Sequence, residues 1–461
     1  MTQDILRTLL ASLEIIRPAL TAPGYRNAMV VFVGWVLSNG THAITAALVA
    51  TDVARRRHHE GFHRFFSRGS WSPDQVGRLL FQRIVDVLLD PKEPVKLVLD
   101  DTLASKTGDH VFGIGSHLDA VRSTKLRKVF AFGHVWVVLA VVVRFPFSRR
   151  PWALPVLFRL YRNKKDCASK GDTYRKKTEL ARDLMDIVAG WTDQRSIHIA
   201  MDSAYCNDTV LHDLPPRIVV FGAMRPDAVL TAAPTAREQK MTGRRRVRGK
   251  TLPKPERLAT NDRRPWLTCR ATTYGKNHPV RYKTIDAQWY RGSGTRLIRI
   301  VVVPSARGKI PFRVFFCTDL TVSIPSILET YAGRWGIEVC FRDLKQLLGF
   351  SDSSARKKEA VERTAPFVGF IYTTLVLWFA CHGAGSPVAT PPIRPWYNHK
   401  KGFSFADVLR TAQRVLSHLD VFDPAHSIAN LPESYDSPVP LASARRKYRK
   451  SPLAVTQKSA N

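Results

Sequence analysis

Acidic side chains are scarce in this 461-residue chain: 38 Asp and Glu stand against 71 Lys and Arg, a formal net charge of +33. Such an excess repels itself in a compact state unless a polyanion neutralises it. Nucleic acid is the first partner to consider, an anionic membrane surface the second and a ribosome-like structural role the third. Cysteine is also sparse. Cys167, Cys206, Cys269, Cys317, Cys340 and Cys381 are scattered with no CxxC pair, which argues against a disulfide framework or a zinc site and for reduced thiols. Long uninterrupted apolar runs are missing. "VWVVLAVVVRFPF" (135–147) is broken by Arg144 and reads as a buried strand, and "PFVGFIYTTLVLWFACHG" (366–383) is short and polar enough to read as a core helix. No membrane span is expected. The N-terminus has no basic leader segment; with Asp4 and Glu14 it reads as an amphipathic helix and not as a secretory signal. No internal repeat is present.

What is there suits globular packing: 44% of residues are hydrophobic, and the length predicts two to four structural units. Residues 1–92 read as a helical N-terminal DNA-binding region, with helical apolar spacing in 5–20, 28–37, 43–53 and 75–89 and a basic, aromatic segment "RRRHHEGFHRFFSRGSW" (55–71). His58, His59 and His63 lie among arginines without Cys partners, which favours DNA contact or plain surface over a metal. Residues 93–224 read as the first part of an α/β core: strands at 94–102, 128–145, 152–161, 196–207 and 216–224, and a helix at 174–192. Residues 225–300 read as a β-rich basic insertion. Its loop 237–257, with Arg244, Arg245 and Arg246, is placed to follow phosphates. Trp266, Trp289 and Tyr290 fit half-buried strand positions, with a wedge into DNA as the alternative. Residues 301–382 read as the second part of the core, and 383–461 as a Pro/Gly-rich linker, a short helix and a basic tail.

Three acids stand out by position. Asp100, with Asp101 beside it, ends one predicted strand, Asp202 ends another, and Glu338 lies on a predicted helix. Groups just past the carboxyl ends of adjacent strands converge on one crevice. Carboxylates forced together there repel unless a hard cation joins them, and two Mg²⁺ ions suit phosphodiester chemistry. Taken singly, a strand-end Asp is ordinarily a turn or cap residue, and a helical Glu among Arg and Lys an exposed ion pair. The segment "YAGRWGIEVCFRDLKQ" (331–346) changes the balance. On one continuous helix Tyr331, Arg334, Glu338 and Lys345 project to roughly 0°, −60°, −20° and −40°, a single narrow stripe.

This segment matches the Y-x2-R-x3-E-x6-K signature and so resembles the bacterial insertion-sequence DDE transposases, cut-and-paste enzymes with a ribonuclease-H-like catalytic domain. "LVLDDT" (97–102) resembles the strand end carrying their first catalytic aspartate, at Asp100; only one of Asp100 and Asp101 can face the site, because strand side chains alternate. "IAMDSAYCN" (199–207) resembles the strand end of the second, at Asp202. "RFFSRGSWS" (64–72) is similar to the N-terminal region of one branch, and the likeness covers most of 55–382.

The resemblance implies a ribonuclease-H-like mixed α/β sheet, interrupted by the β-rich insertion and preceded by the helical region. It implies that Asp100, Asp202 and Glu338 are catalytic and bind Mg²⁺, two ions, with Mn²⁺ as a substitute. Arg334 and Lys345 would grip phosphates on either side of the scissile bond, Tyr331 would hydrogen-bond a nearby phosphate, and Lys106 would contact another. Trp335 would hold an unstacked base, with packing in the helix core as its alternative. The implied activity is cleavage at the terminal inverted repeats of an element, a hairpin intermediate, and strand transfer into target DNA. It would be carried out by at least a homodimer on double-stranded DNA in the bacterial cytoplasm. The rivals are an inactive or repurposed DNA-binding protein of the same fold, a general metal-dependent nuclease, and a structural nucleic-acid protein. The complete acid set, the basic insertion and the aligned stripe weigh against them in turn.

Overall fold

The computed structural model describes residues 2–419, apart from 109, 120–121, 125, 193, 240–245, 306–310, 392–394, 397–401 and 418. Twelve strands form one sheet: β1 Val95–Ser105, β2 Gly115–Leu118, β3 Phe130–Val143, β4 Trp152–Tyr161, β5 Ile197–Met201, β6 Ile218–Ala223, β7 Leu230–Thr231, β8 Thr251–Leu252, β9 Leu267–Thr273, β10 Lys276–Gln288, β11 Leu297–Pro304 and β12 Phe312–Cys317. Toward one end of it β4 pairs with β3 and β3 with β1, both antiparallel, while β1, β5 and β6 run parallel. The order β4-β3-β1-β5-β6 is the ribonuclease-H-like arrangement expected from the sequence.

The run Val135–Val143 explains why β3 is an interior strand. An almost unbroken β-branched stretch has no polar face to give to water, and Val137 to Val141 are fully buried. Helices cover β4: Pro73–Leu88 and Lys358–Trp378. Gly77 allows the closest of these approaches, because a Cβ there would stand 1.9 Å from the Val156 carbonyl oxygen.

The strands read as an insertion continue this same sheet. β6 pairs with β12, which is followed by β11 and β10, so the basic segment hangs from the far edge of the core sheet. The apolar run at 366–383 is a core helix. The window within Lys358–Gly383 is long and apolar enough to cross a membrane, but 89% of it is buried inside the fold.

The N-terminal helices are fastened to that helix. Trp378 Nε1 donates to Thr8 Oγ1 at 3.1 Å, and an Arg363 guanidinium nitrogen donates to the Phe66 carbonyl at 3.0 Å. Phe65 stacks on Trp71 with ring centres 5.0 Å apart, and Phe66 meets Phe367 edge-on at 5.3 Å. "RFFSRGSW" therefore contributes its aromatic residues to the core and its arginines to the surface. The helix Phe405–Leu416 closes the assembly, with Phe405 stacked on Tyr372 at 4.3 Å.

Candidate active site

β1 and β5 pair as far as Leu99 and Met201. The next residue on each strand is an aspartate, so Asp100 and Asp202 flank the point where two parallel strands part. Asp202 ends its strand as expected and opens a tight turn in which Tyr205 N–H donates to its carbonyl at 3.0 Å. Asp100 and Asp101 lie inside β1, which continues to Ser105 against β3. The reason is that β3 is longer than β5 and holds β1 in place after its parallel partner has ended.

Pleating sends the two neighbouring acids to opposite faces. Asp101 accepts from Lys177 Nζ at 2.7 Å and from the Tyr205 hydroxyl at 2.6 Å. Asp100 Oδ2 accepts from Arg334 Nη1 at 2.7 Å, while its Oδ1 accepts the Asp101 N–H at 2.8 Å. Arg334 Nη2 donates to Glu338 Oε1 at 2.8 Å. One guanidinium thus bridges a strand acid and a helix acid.

Burial pushes the Asp100 carboxyl up to about 7; Arg334 and the Asp101 N–H oppose the shift, while the charges of Asp101 and Asp202 add to it. Burial works against the charge on Arg334 too, but Asp100, Tyr331, Glu338 and Asp202 outweigh it and hold the guanidinium more firmly protonated than usual. Burial raises the Tyr331 phenol to about 12, and its ring lies 4.6 Å from that of Phe315.

The signature segment is two helices, Ile324–Gly333 and Trp335–Leu347, where the sequence suggested one. At the junction Arg334 N–H donates to the Tyr331 carbonyl and Ile337 N–H to the Arg334 carbonyl, both at 3.1 Å. These three-residue bonds tighten the turn. Gly336 suits this place, since a Cβ on it would come within 3.2 Å of the Pro151 carbonyl oxygen. Tyr331, Arg334 and Glu338 still meet at the crevice. Lys345 is exposed, seven residues beyond Glu338 and so about 10 Å along the axis. It stands apart from that group.

The remaining candidates are spread more widely. Lys106 Nζ donates to the Ser353 carbonyl, turned onto the 351–356 segment, and burial lowers its pKa. Trp335 is 48% exposed, so it is not a core residue. With Arg150, Trp152 and Tyr274 it lines a cavity of about 250 Å³ on the flank of the helix junction. Arg246 is exposed and 3.6 Å from Glu238, whereas Arg244 and Arg245 lie outside the described residues. His58, His59 and His63 form a file of rings 4.3 and 5.7 Å apart on the surface.

Sequence reasoning missed Lys177 and Tyr205, the pair that takes Asp101. Tyr205 was within reach, since it follows Asp202 by three residues in the same turn. Lys177, contributed by a distant helix, left no local signal.

Among the described residues no three Asp, Glu, His or Cys side chains are grouped closely enough to hold a metal ion. The donor chemistry nevertheless fits a hard divalent cation. Only carboxylate oxygens face the crevice from Asp100 and Glu338, and both are drawn to one positive centre, Arg334.

Two family models match. One, described as DDE superfamily endonuclease, covers residues 17–293 and so contains Asp100 and Asp202. The other, described as archaeal putative transposase ISC1217, covers 290–377 and contains Glu338. No curated protein matches the chain. Among solved structures, a piggyBac transposase synaptic complex with hairpin DNA is similar at 10% identity and a TM-score of 0.36, over 100% of this chain and 84% of that one. With the first model spanning more than half of its length, the chain belongs to the DDE superfamily endonucleases.

Proposed function

We propose that the protein is a transposase that cuts DNA at the terminal inverted repeats of its own element and joins the freed ends to target DNA. The observation that carries this reading is the Asp100–Arg334–Glu338 bridge beside Asp202, at the parting of two parallel strands. A general acid–base site would not need a guanidinium locked between two carboxylates. A site that handles a phosphodiester needs both anions for a cation and a cation for the phosphate.

Asp100, Asp202 and Glu338 would hold divalent cations, two Mg²⁺ ions or Mn²⁺ in their place. Bound there, the metal supplies activation of an attacking oxygen and stabilisation of the leaving one. Arg334 is then released from the acids and turns to the scissile phosphate, where its planar fork holds two oxygens. Tyr331 positions Arg334 and donates to a neighbouring phosphate. Lys345, farther along the helix, meets the backbone beyond the cut. Lys106 contacts phosphate where β1 ends, and Arg244 to Arg246 follow the duplex away from the site. Trp335, exposed at the helix junction, receives a base drawn out of the stack during hairpin formation. Because two ends must be cut together, the working form on DNA is at least a dimer. The DNA it acts on is that of a bacterial nucleoid.

The test is incubation with duplex carrying the element's own ends and Mg²⁺, followed by mapping of nicks. End-specific nicks absent with Asp202→Ala or Glu338→Ala support the reading. Sequence-indifferent cutting would indicate a general nuclease. Specific binding without any cutting would indicate a repurposed DNA-binding protein.

A further inference from the structure

Beyond Ser105, paired with Gly133, the β1 edge of β3 is left open over the three residues back to Phe130, while β2 holds the other edge. Lys106 N–H still reaches the Phe132 carbonyl at 3.1 Å, and then the chain turns away through Gly108, whose φ of +114° suits glycine. The space left in line with β1 is a cavity of about 810 Å³ between β3 and the 351–356 segment.

Its walls combine two chemistries. Phe130 and Phe132, 64% and 49% exposed, alternate onto one face of β3, and Leu118, paired with Phe130 across the hairpin, is 47% exposed. Lys106, His110, Arg122 and Arg356 line the same cavity. The acid among the lining residues, Asp352, accepts the His42 backbone N–H at 2.9 Å.

From this we infer that the exposed face of paired β2 and β3 and the cavity beside it form a binding platform for unpaired single-stranded DNA. Two rings about 7 Å apart on one sheet face suit splayed bases, and every base has a face to stack. A duplex hides those faces, so it would meet the cations but not the rings. A second copy docking by the same patch would bring Lys106, Arg122 and Arg356 against three like charges. The site also lies on the right strand. Ser105 is five residues beyond Asp100, about 17 Å along β1, so a strand parted at the crevice would run directly into it. This inference rests on the proposed function for its choice of DNA over RNA.

The experiment uses the full-length protein and fluorescence anisotropy with two probes, a short fluorescein-labelled oligo(dT) and a blunt duplex of equal length. Phe130→Ser with Phe132→Ser should weaken oligo(dT) binding by about tenfold or more and leave duplex binding within about twofold. Phe130→Tyr with Phe132→Tyr should restore oligo(dT) binding and so exclude misfolding as the cause. Unchanged oligo(dT) affinity in the serine variant would overturn the platform. So would a fall from dimer to monomer in sedimentation with no change in oligo(dT) affinity, which would make the patch a self-association face. If oligo(dT) affinity falls as expected but the wild type never cuts element ends, the platform stands and the transposase reading fails. If ends are cut and both variants bind oligo(dT) like the wild type, the reverse holds.

Discussion

The two faces of β1 at residues 100 and 101 carry the same functional group in opposite conditions. On one face Asp101 has two partners of its own, a lysine and a phenol. A carboxylate so compensated is a structural anchor, tying β1 to the helix Lys177–Ala189 and to the turn after β5. On the other face Asp100 shares its guanidinium with Glu338 and is pushed up to about 7 by burial. Position in the chain does not separate these two acids. What separates them is how completely the fold satisfies the charge, and a site that must exchange partners during reaction cannot be completely satisfied beforehand.

The largest effects are expected from removing each acid in turn. Asp100→Ala should reduce end cleavage below detection, as should Asp202→Ala and Glu338→Ala, while DNA binding by gel shift survives. Asp101→Asn should keep cleavage but lose about 1–3 kcal/mol of stability in urea, because Lys177 and Tyr205 lose a charged acceptor. An active Asp100→Ala beside a dead Asp101→Asn would invert the assignment.

Next in size is the pH dependence of the metal-free protein. The folded Asp100 keeps a proton, up to about 7, that the unfolded chain releases near its ordinary value of 3.8. Between those limits the folded state binds more protons, so the stabilisation is complete below the lower value and is lost as pH rises through the upper one. The loss is on the order of 4 kcal/mol across that window. Urea titrations at several pH values should show it, and Asp100→Asn should flatten it. No such flattening is expected from Asp101→Asn.

Arg334→Lys keeps the charge and removes the fork. Cleavage should slow by the equivalent of about 1.5–3 kcal/mol, the range for a hydrogen bond to a charged group, and added Mg²⁺ should not restore it. Rescue by metal would mean that Arg334 serves only to neutralise the acids. Smaller still, Trp335→Ala should leave first-strand nicking and stability nearly unchanged and reduce hairpin product, read on a gel from a pre-assembled end complex. Smallest of all, Arg246→Ala should lower the slope of log affinity against log salt by about one, without altering the choice of site.

Much of this was legible in the sequence because it is written locally. The β-branched run of β3, the acid that closes β5 and the helical spacing of 331–346 are read within a dozen residues. Three things were not. The break at Arg334 leaves no local signal, and Gly336, two residues on, packs against the Pro151 carbonyl of a distant segment. The joining of β10, β11 and β12 to the core sheet depends on β6 as a partner, and a strand does not name its partner. The facing of Asp100 and Asp101 follows from alternation only once one of the two is anchored, and the anchor, Lys177, lies 76 residues away. The resemblance had favoured Asp100, but a periodicity of two alone would have served either acid.

The attachment of the N-terminal helices to Lys358–Trp378 has a mechanical consequence. Thr8, Phe66 and Trp71 are fixed to the same helix that backs the catalytic sheet. The basic surface from Arg55 to Arg68 therefore cannot swing on a tether relative to Asp100. On the proposed function, DNA gripped by that surface would be held at a set distance from the acids, with the fold as a ruler. The position of the cut, counted in base pairs from the gripped sequence, would then be a property of the protein's own dimensions.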